Sequence, residues 1–88
     1  MNTLITPVQV FPGQANQLYI RAGNLGPPPQ YYYQLQAVDA DGNVTVLKDG
    51  NVNMTPEQWN QWPADLGAKG DEDYQLGCIA ANLGLTRA

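Results

Sequence analysis

Oxygen-bearing side chains are closely spaced at Asp39-Ala40-Asp41-Gly42-Asn43. Three possible ligands at alternate positions are what a calcium-binding loop provides. The rest of the calcium pattern is missing, because Val44 stands where the loop needs a glycine and Gly50 where it needs a glutamate. Asp, Asn and Gly are also the residues of tight turns, so we interpret this stretch as a hairpin turn and predict no metal site.

Carboxylates also cluster at Asp71-Glu72-Asp73, and the single cysteine, Cys78, follows them. Adjacent residues on a helix point in different directions, so these carboxylates do not converge on one substrate atom as a general acid and base would. We assign them to the first turn of a helix, where negative charge is favourable. The chain has no histidine to activate Cys78, and we interpret this residue as a small core side chain.

Three aromatic residues could bind a ligand. Trp59, Trp62 and Tyr32 would together form a platform of the kind on which a sugar ring stacks. Small proteins use the same residues to build their cores. Our preferred interpretation is that Trp59 covers a sheet and that Tyr32 lies on an exposed or partner-covered face.

The composition argues against catalysis and against nucleic-acid binding. The 88 residues include no histidine, the commonest general base and metal ligand. Eight acidic and four basic residues give a net charge of -4, which repels phosphate backbones. The chain shows neither a secretion signal nor an apolar stretch long enough to span a membrane. We therefore predict no enzymatic activity, no cofactor, and no nucleic acid, membrane or small-molecule substrate as partner.

Residues 4–54 alternate apolar and polar side chains, which is typical of half-buried strands. Turn signals at 39–43 and at Asp49-Gly50 separate the later strands. The pattern predicts a small antiparallel sheet or meander of four to five strands. The apolar positions of the alternation are Val8, Val10, Leu18, Ile20, Ala22, Tyr31, Tyr33, Leu35 and Ala37.

A first short helix is predicted over residues 56–62. Thr55 is a good N-cap, and Gln58 completes a capping box with it. Met54 and Trp59 occupy the two positions of a hydrophobic staple. Thr55 and Trp59 are therefore expected to hold this helix onto the sheet.

A second helix is predicted over residues 71–83, with Gly84 as its left-handed cap. Gly77 lies inside this helix, where glycine is unfavourable, so we expect a strand or other backbone to approach it closely. Residues 1–88 are thus expected to form a single α+β domain, with the sheet covered by the two helices.

Contacts with other chains are expected at the beginning of the sequence and at a proline-rich loop. Pro12-Gly13 loosens residues 1–12 from the second strand, so this segment either pairs within its own chain or extends as an arm to a neighbouring subunit. The run of three prolines is stiff, and is either a rigid loop or a docking element. The candidate interface residues are Val8, Val10, Tyr32, Pro27, Pro28 and Pro29.

The chain resembles the small structural proteins of tailed bacteriophage particles, which decorate heads or complete necks, tails and fibres. The resemblance lies in four stretches: residues 14–23, Thr55-Pro56-Glu57-Gln58-Trp59, Asp71-Glu72-Asp73-Tyr74 and residues 79–86. It implies a non-catalytic virion component, synthesised in a host bacterial cytoplasm and assembled in many copies with itself and other virion proteins.

The composition favours the same role. A domain of this size has a thin core, and its mostly neutral amide surface and sheet edges suit contacts with other chains. We therefore expect a homo-oligomeric virion protein, such as a capsid decoration or tail component, that assembles through strand edges and apolar or amide contacts. The alternative is a small carbohydrate-binding module with the aromatic platform.

Overall fold

The fold is an antiparallel meander followed by two helices, as predicted. The computed structural model describes residues 1–11, 13–24, 28–61 and 68–88, without the side chains of residues 24 and 68–71. The sheet has the order β1-β2-β3-β4. Its elements are β1 (Asn2–Val10), β2 (Gly13–Asn24), β3 (Gln30–Val38) and β4 (Val44–Asn53), and the helices are α1 (Pro56–Gln61) and α2 (Ala68–Asn82).

One face of the sheet, here called the inner face, packs against α2 and forms the core. The predicted alternation is confirmed at its centre, where Leu18, Ile20 and Tyr31 are buried. It is wrong at Ala22, which is exposed at the far end of β2. The core residues are Ile5, Ala15, Leu18, Ile20, Tyr31, Tyr33, Leu35, Met54, Leu76, Cys78, Ile79 and Ala80.

The predicted turn at Asp49-Gly50 is wrong. Both residues lie inside β4, where Gly50 pairs with Tyr33 of β3. A Cβ atom on Gly50 would lie 3.1 Å from the Tyr33 hydroxyl oxygen, so this glycine makes room for the tyrosine ring. The irregularity in β4 lies elsewhere, since the register shifts between Leu35 and Gln36 and leaves Leu47 as the extra residue.

The predicted turn at residues 39–43 is confirmed. Asp39 accepts hydrogen bonds from the backbone N–H groups of Asp41 and Asn43, each at 2.9 Å. Gly42 has a φ of 85°, which a residue without a Cβ adopts freely. These bonds, above all that from Asn43, lower the pKa of the Asp39 carboxyl. The side chains of Asp39 and Asn43, which also bond each other, therefore serve the turn.

The capping box of α1 is confirmed, but its staple is only half buried. Gln58 N–H donates to the Thr55 Oγ1 at 3.1 Å, and Thr55 N–H donates to the Gln58 Oε1 at 2.9 Å. Met54 is buried with 1% exposure, whereas Trp59 is 39% exposed. Trp59 is therefore less buried than we expected, and its contact with the sheet stays a prediction. A six-residue helix tied to α2 through Gln58 leaves the tryptophan at the surface.

Helix α2 begins at Ala68, before the carboxylates that were predicted to start it. Asp73 instead forms an ion pair with Arg87, whose Nη2 lies 2.9 Å from the Asp73 Oδ1. The end of α2 is as predicted, because Gly84 has a φ of 73°. Leu85 N–H donates to the Ala80 carbonyl at 2.8 Å, the hydrogen bond of a Schellman motif.

Residues 86–88, here called the edge segment, return from α2 to the outer edge of β1. Arg87 pairs with Ile5 in an antiparallel bridge. The backbone N–H of Thr6 donates to the Thr86 carbonyl at 2.8 Å, and that of Ala88 donates to the Leu4 carbonyl at 3.0 Å. The sheet is therefore extended by a short fifth element beside β1.

Candidate functional site

The face of the sheet opposite the helices, here called the outer face, is lined by amide and aromatic side chains. The register pairs Gln17 of β2 with Gln36 of β3, and Gln34 of β3 with Asp49 of β4. Directly opposite residues of antiparallel strands point to the same face. Tyr32, two residues from Gln34 on β3, points to that face as well.

These five side chains form one continuous run of hydrogen bonds, here called the amide chain. Gln17 Nε2 donates to the Gln36 Oε1 at 2.7 Å, and Gln36 Nε2 donates to the Gln34 Oε1 at 2.8 Å. Gln34 Nε2 donates to the Tyr32 hydroxyl at 3.0 Å. The Tyr32 hydroxyl in turn donates to the Asp49 Oδ2 at 2.8 Å. All four bonds run in one direction towards a carboxylate, so each bond polarises the next.

The outer face carries little net charge although the protein is acidic. Arg21 stacks on the Tyr32 ring, with its Cζ 5.0 Å from the ring centroid. Arg21 and Asp49, which belong to the same group of side chains, offset each other. The other described acidic residues lie in the 39–43 turn and on the helices. A second chain can therefore approach the outer face without meeting the excess of negative charge.

Exposed apolar side chains lie at both ends of one row across this face. Leu4 of β1 pairs with Gln17, and Val46 of β4 pairs with Gln36. Leu4 is 58% exposed and Val46 is 48% exposed, while Gln36 between them is buried. The row thus presents a fixed amide centre between two exposed apolar side chains.

Two further candidate interface residues, Val8 and Val10, do not lie on the outer face. Val8 and Val10 pair with Ala15 and Gly13 and pack against the core from the inner face, so they are half-buried. Residues 2–10 belong to the chain's own sheet as β1. In this structure the segment therefore pairs within its own chain and does not extend as an arm. Its contact with a neighbouring subunit stays a prediction.

The proline run is tied to the sheet at its end. Pro29 is buried, and its carbonyl accepts a hydrogen bond from the backbone N–H of Met54 at 3.0 Å. Pro28 is half-buried, and Pro27 lies outside the described residues. The two described prolines are thus part of the junction between β3 and the start of α1, which favours the rigid-loop interpretation.

The described aromatic residues do not form the predicted sugar platform. Tyr32 lies on the outer face, whereas Trp59 lies on α1, which is hydrogen-bonded to α2 on the other side of the sheet. Trp62 lies outside the described residues. Two aromatic rings on opposite sides of a sheet cannot stack on one sugar.

A shallow pocket lies between α1, α2 and the edge segment. Its lining includes Gly77, Tyr74 and Cys78. No described backbone from outside α2 approaches Gly77, because the nearest described atom to a methyl group at this position would be the Arg87 Nη1 at 3.8 Å. The close backbone contact that we expected is therefore not made by the part of the chain that the structure describes. Gly77 leaves only a depression on the surface of α2.

Two ionisable groups beside this pocket, Cys78 and Tyr74, have pKa values shifted towards their neutral forms. Burial raises the pKa of the Cys78 thiol, although the Tyr74 hydroxyl acts in the opposite direction. Partial desolvation likewise raises the pKa of Tyr74, whose hydroxyl donates to the Gln58 carbonyl at 2.6 Å. A protonated thiol is a poor nucleophile, so this pocket favours the interpretation of Cys78 as a core residue.

The amide chain was not predicted from the sequence, although a signal for it is present. Tyr32, Gln34 and Gln36 alternate with buried residues and so share a face of one strand. Their partners Gln17 and Asp49 come from two other strands. Only the pairing register brings those strands into line.

Comparison with known protein families, characterised proteins and solved structures found no match. Among the described residues, no three His, Cys, Asp or Glu side chains are grouped as a metal site requires. No described helix is long and apolar enough to cross a membrane.

Proposed function

We propose that this protein is a non-catalytic structural subunit that assembles in many copies through the outer face of its sheet. The assembly that the resemblance implies is the particle of a tailed bacteriophage, with copies of this chain and other virion proteins as partners. The observation that supports this proposal is the amide chain, an ordered and nearly neutral surface with exposed Leu4 and Val46 at its margins.

Order before binding is what makes this surface suitable. Fixing a long, flexible side chain at an interface costs about 0.5–1.5 kcal/mol. Hydrogen bonds already hold Gln17, Gln34 and Gln36 in place in the free protein. Their conformational entropy is lost on folding, so binding a partner does not have to order these side chains again. Contacts between amides and apolar groups are also insensitive to salt, unlike contacts between exposed charges.

The edges of the sheet are less available for pairing with another chain than we expected from the sequence. The edge segment covers β1 at Ile5. The edge of β4 carries the bulge at Leu47 and the charged residues Lys48 and Asp49, devices that discourage pairing with another strand. The structure therefore favours the apolar and amide part of the predicted assembly mode over the edge part.

The proposal is tested by placing a charge on the outer face. Val46→Glu buries a carboxylate in any interface formed there, so we expect self-association to weaken by at least about tenfold. The matched control is Thr45→Glu, which adds the same charge at an exposed neighbouring residue whose partner, Ala37, is on the inner-face side. Sedimentation or light scattering should be recorded from low to molar salt.

Three results would contradict the proposal. The first is a wild-type protein that stays monomeric at every concentration and is missing from purified particles. The second is equal weakening by both variants. The third is tryptophan fluorescence that responds to a sugar, which would favour the carbohydrate-binding alternative. Dissociation by salt alone would contradict the proposed contacts.

A further inference from the structure

Near residues 5–7, the backbone of β1 forms hydrogen bonds with the edge segment. Leu4 pairs with Gln17 and Val8 with Ala15, so residues 5–7 of β1 face only residue 16 of β2. Pairing with β2 is thus interrupted here. The edge segment pairs with β1 from the other side at this position, through the Thr6 and Ala88 N–H groups.

The side chains that hold the edge segment are at the surface. Arg87 Nε donates to the Thr3 Oγ1 at 3.3 Å, and its ion pair with Asp73 has side chains that are 34% and 73% exposed. Exposed ion pairs contribute little to stability. Leu85, which directly precedes the segment, packs against the core and is only partly buried.

The joint before the edge segment is a single exposed glycine. Gly84 is in the left-handed region, and no atom of the described residues lies within 4 Å of the place where its Cβ would be. Leu83, Gly84 and Leu85 separate Asn82, the last residue of α2, from Thr86. A change of dihedral angles at this glycine would send the edge segment away from its own sheet, and short joints of this kind favour exchange between chains.

The outer face is too small to hold a stable assembly by itself. Four strands of 9 to 12 residues, spaced about 4.8 Å apart and roughly 30 Å long, offer roughly 600 Å². A typical stable interface buries about 800 Å² on each partner. The proposed assembly therefore needs a second contact.

We propose that the edge segment of one copy pairs with β1 of a second copy when the chains are assembled. Every contact that it makes within its own chain can be remade there, because the backbone bonds are independent of which chain supplies them. β1 carries no charged residue that would repel a second chain. The closed form is then favoured in dilute solution and the exchanged form at high local concentration. The inference rests on the proposed function, which supplies that concentration.

Cross-linking between chains tests this exchange. Thr6 and Thr86 lie opposite each other beside the Ile5 to Arg87 bridge, and both are exposed. A chain with Thr6→Cys and a differently tagged chain with Thr86→Cys, both also Cys78→Ala, are refolded together at about 1 mM and oxidised. The matched control replaces Thr6→Cys by Gln9→Cys, an exposed position of β1 that does not face the segment.

We expect the first pair to give at least about tenfold more covalent heterodimer than the control. Equal yields would overturn the inference. A Thr6→Cys/Thr86→Cys chain should form its disulfide within one molecule when dilute, and failure to do so would also overturn it. If wild-type chains associate while the cross-linking yields are equal, only the exchange is wrong. If they do not associate either, the proposed function fails as well.

Discussion

The inner and outer faces of the sheet are built from alternate residues of the same strands, yet they are ordered by different forces. The inner face is apolar and covered by α2, with Ile20 and Ile79 fully buried. The outer face is polar, and its order comes from side-chain hydrogen bonds such as that between Gln17 and Gln36. Burial of apolar surface dominates folding, whereas each hydrogen bond adds little net stability.

This difference separates the residues that fold the protein from those that it can present to a partner. Residues of the inner face are committed to the core. The amide chain is ordered beyond what the stability of the sheet requires, so its residues can be changed with little cost to folding. Substitutions on and off the two faces test that separation, from the largest expected effect to the smallest.

The largest difference in the free energy of unfolding is expected between an inner-face substitution on β2 and an outer-face substitution on β3. Ile20→Ala removes a fully buried side chain of β2 and should lower the free energy of unfolding by about 2–5 kcal/mol. Gln34→Ala breaks the amide chain on β3 and should lower it by no more than about 1.5 kcal/mol. Urea unfolding measures both. Equal losses would show that the outer face is as important for folding as the core.

Trp59→Ala should lower the free energy of unfolding by less than the roughly 3–5 kcal/mol typical of a buried tryptophan. The reason is that Trp59 lies on the short helix α1 and is 39% exposed. Met54→Ala, at a residue with 1% exposure, is the comparison and should cost more. Thermal unfolding of both variants decides the order, and a greater loss for Trp59→Ala would place the tryptophan in the core.

Thr55→Ala should lower the free energy of unfolding by about 1 kcal/mol, the usual cost of losing an N-cap. It removes the acceptor of the Gln58 N–H at the start of α1. Thr45→Ala, at an exposed threonine of β4, is the matched control and should change stability less. Denaturant midpoints suffice for this test. No difference between the two variants would mean that the capping box does not stabilise the helix.

Gly77→Ala should raise the free energy of unfolding by up to about 1 kcal/mol, because alanine is the better helix former and its methyl group has room. Gly84→Ala should instead lower it by about 1–2 kcal/mol, since Gly84 has a φ of 73°. Opposite shifts of the melting temperature are the expected outcome. A loss at Gly77 would mean that the pocket on α2 is closed by something that needs the space.

The smallest effect is expected at the 39–43 turn. The pKa of Asp39 is lowered from 3.8, so its contribution to stability is present above that pH and is lost as the pH falls through the folded-state pKa. Asp39→Asn keeps an oxygen acceptor and does not titrate. Unfolding curves of the two proteins should therefore diverge between neutral and acidic pH, and parallel curves would contradict the role of the carboxylate.

Local patterns in the sequence determined much of this architecture. Alternation assigned Tyr31 and Tyr33 to the core, and it set Tyr32 on the opposite face. The capping box at Thr55 and the left-handed Gly84 were also predicted. These features depend on residues a few positions apart, whose dihedral angles and hydrogen bonds are set by neighbouring side chains.

Only the tertiary structure decided how distant segments meet. Asp49-Gly50 has the composition of a turn, but the Tyr33 ring beside Gly50 and the pairing with β3 keep β4 extended. The exposure of Trp59, the return of residues 86–88 to β1 and the amide chain across three strands were likewise not predicted. Each depends on how segments far apart in the sequence pack together, which is the sum of many weak contacts, and no local pattern contains that sum.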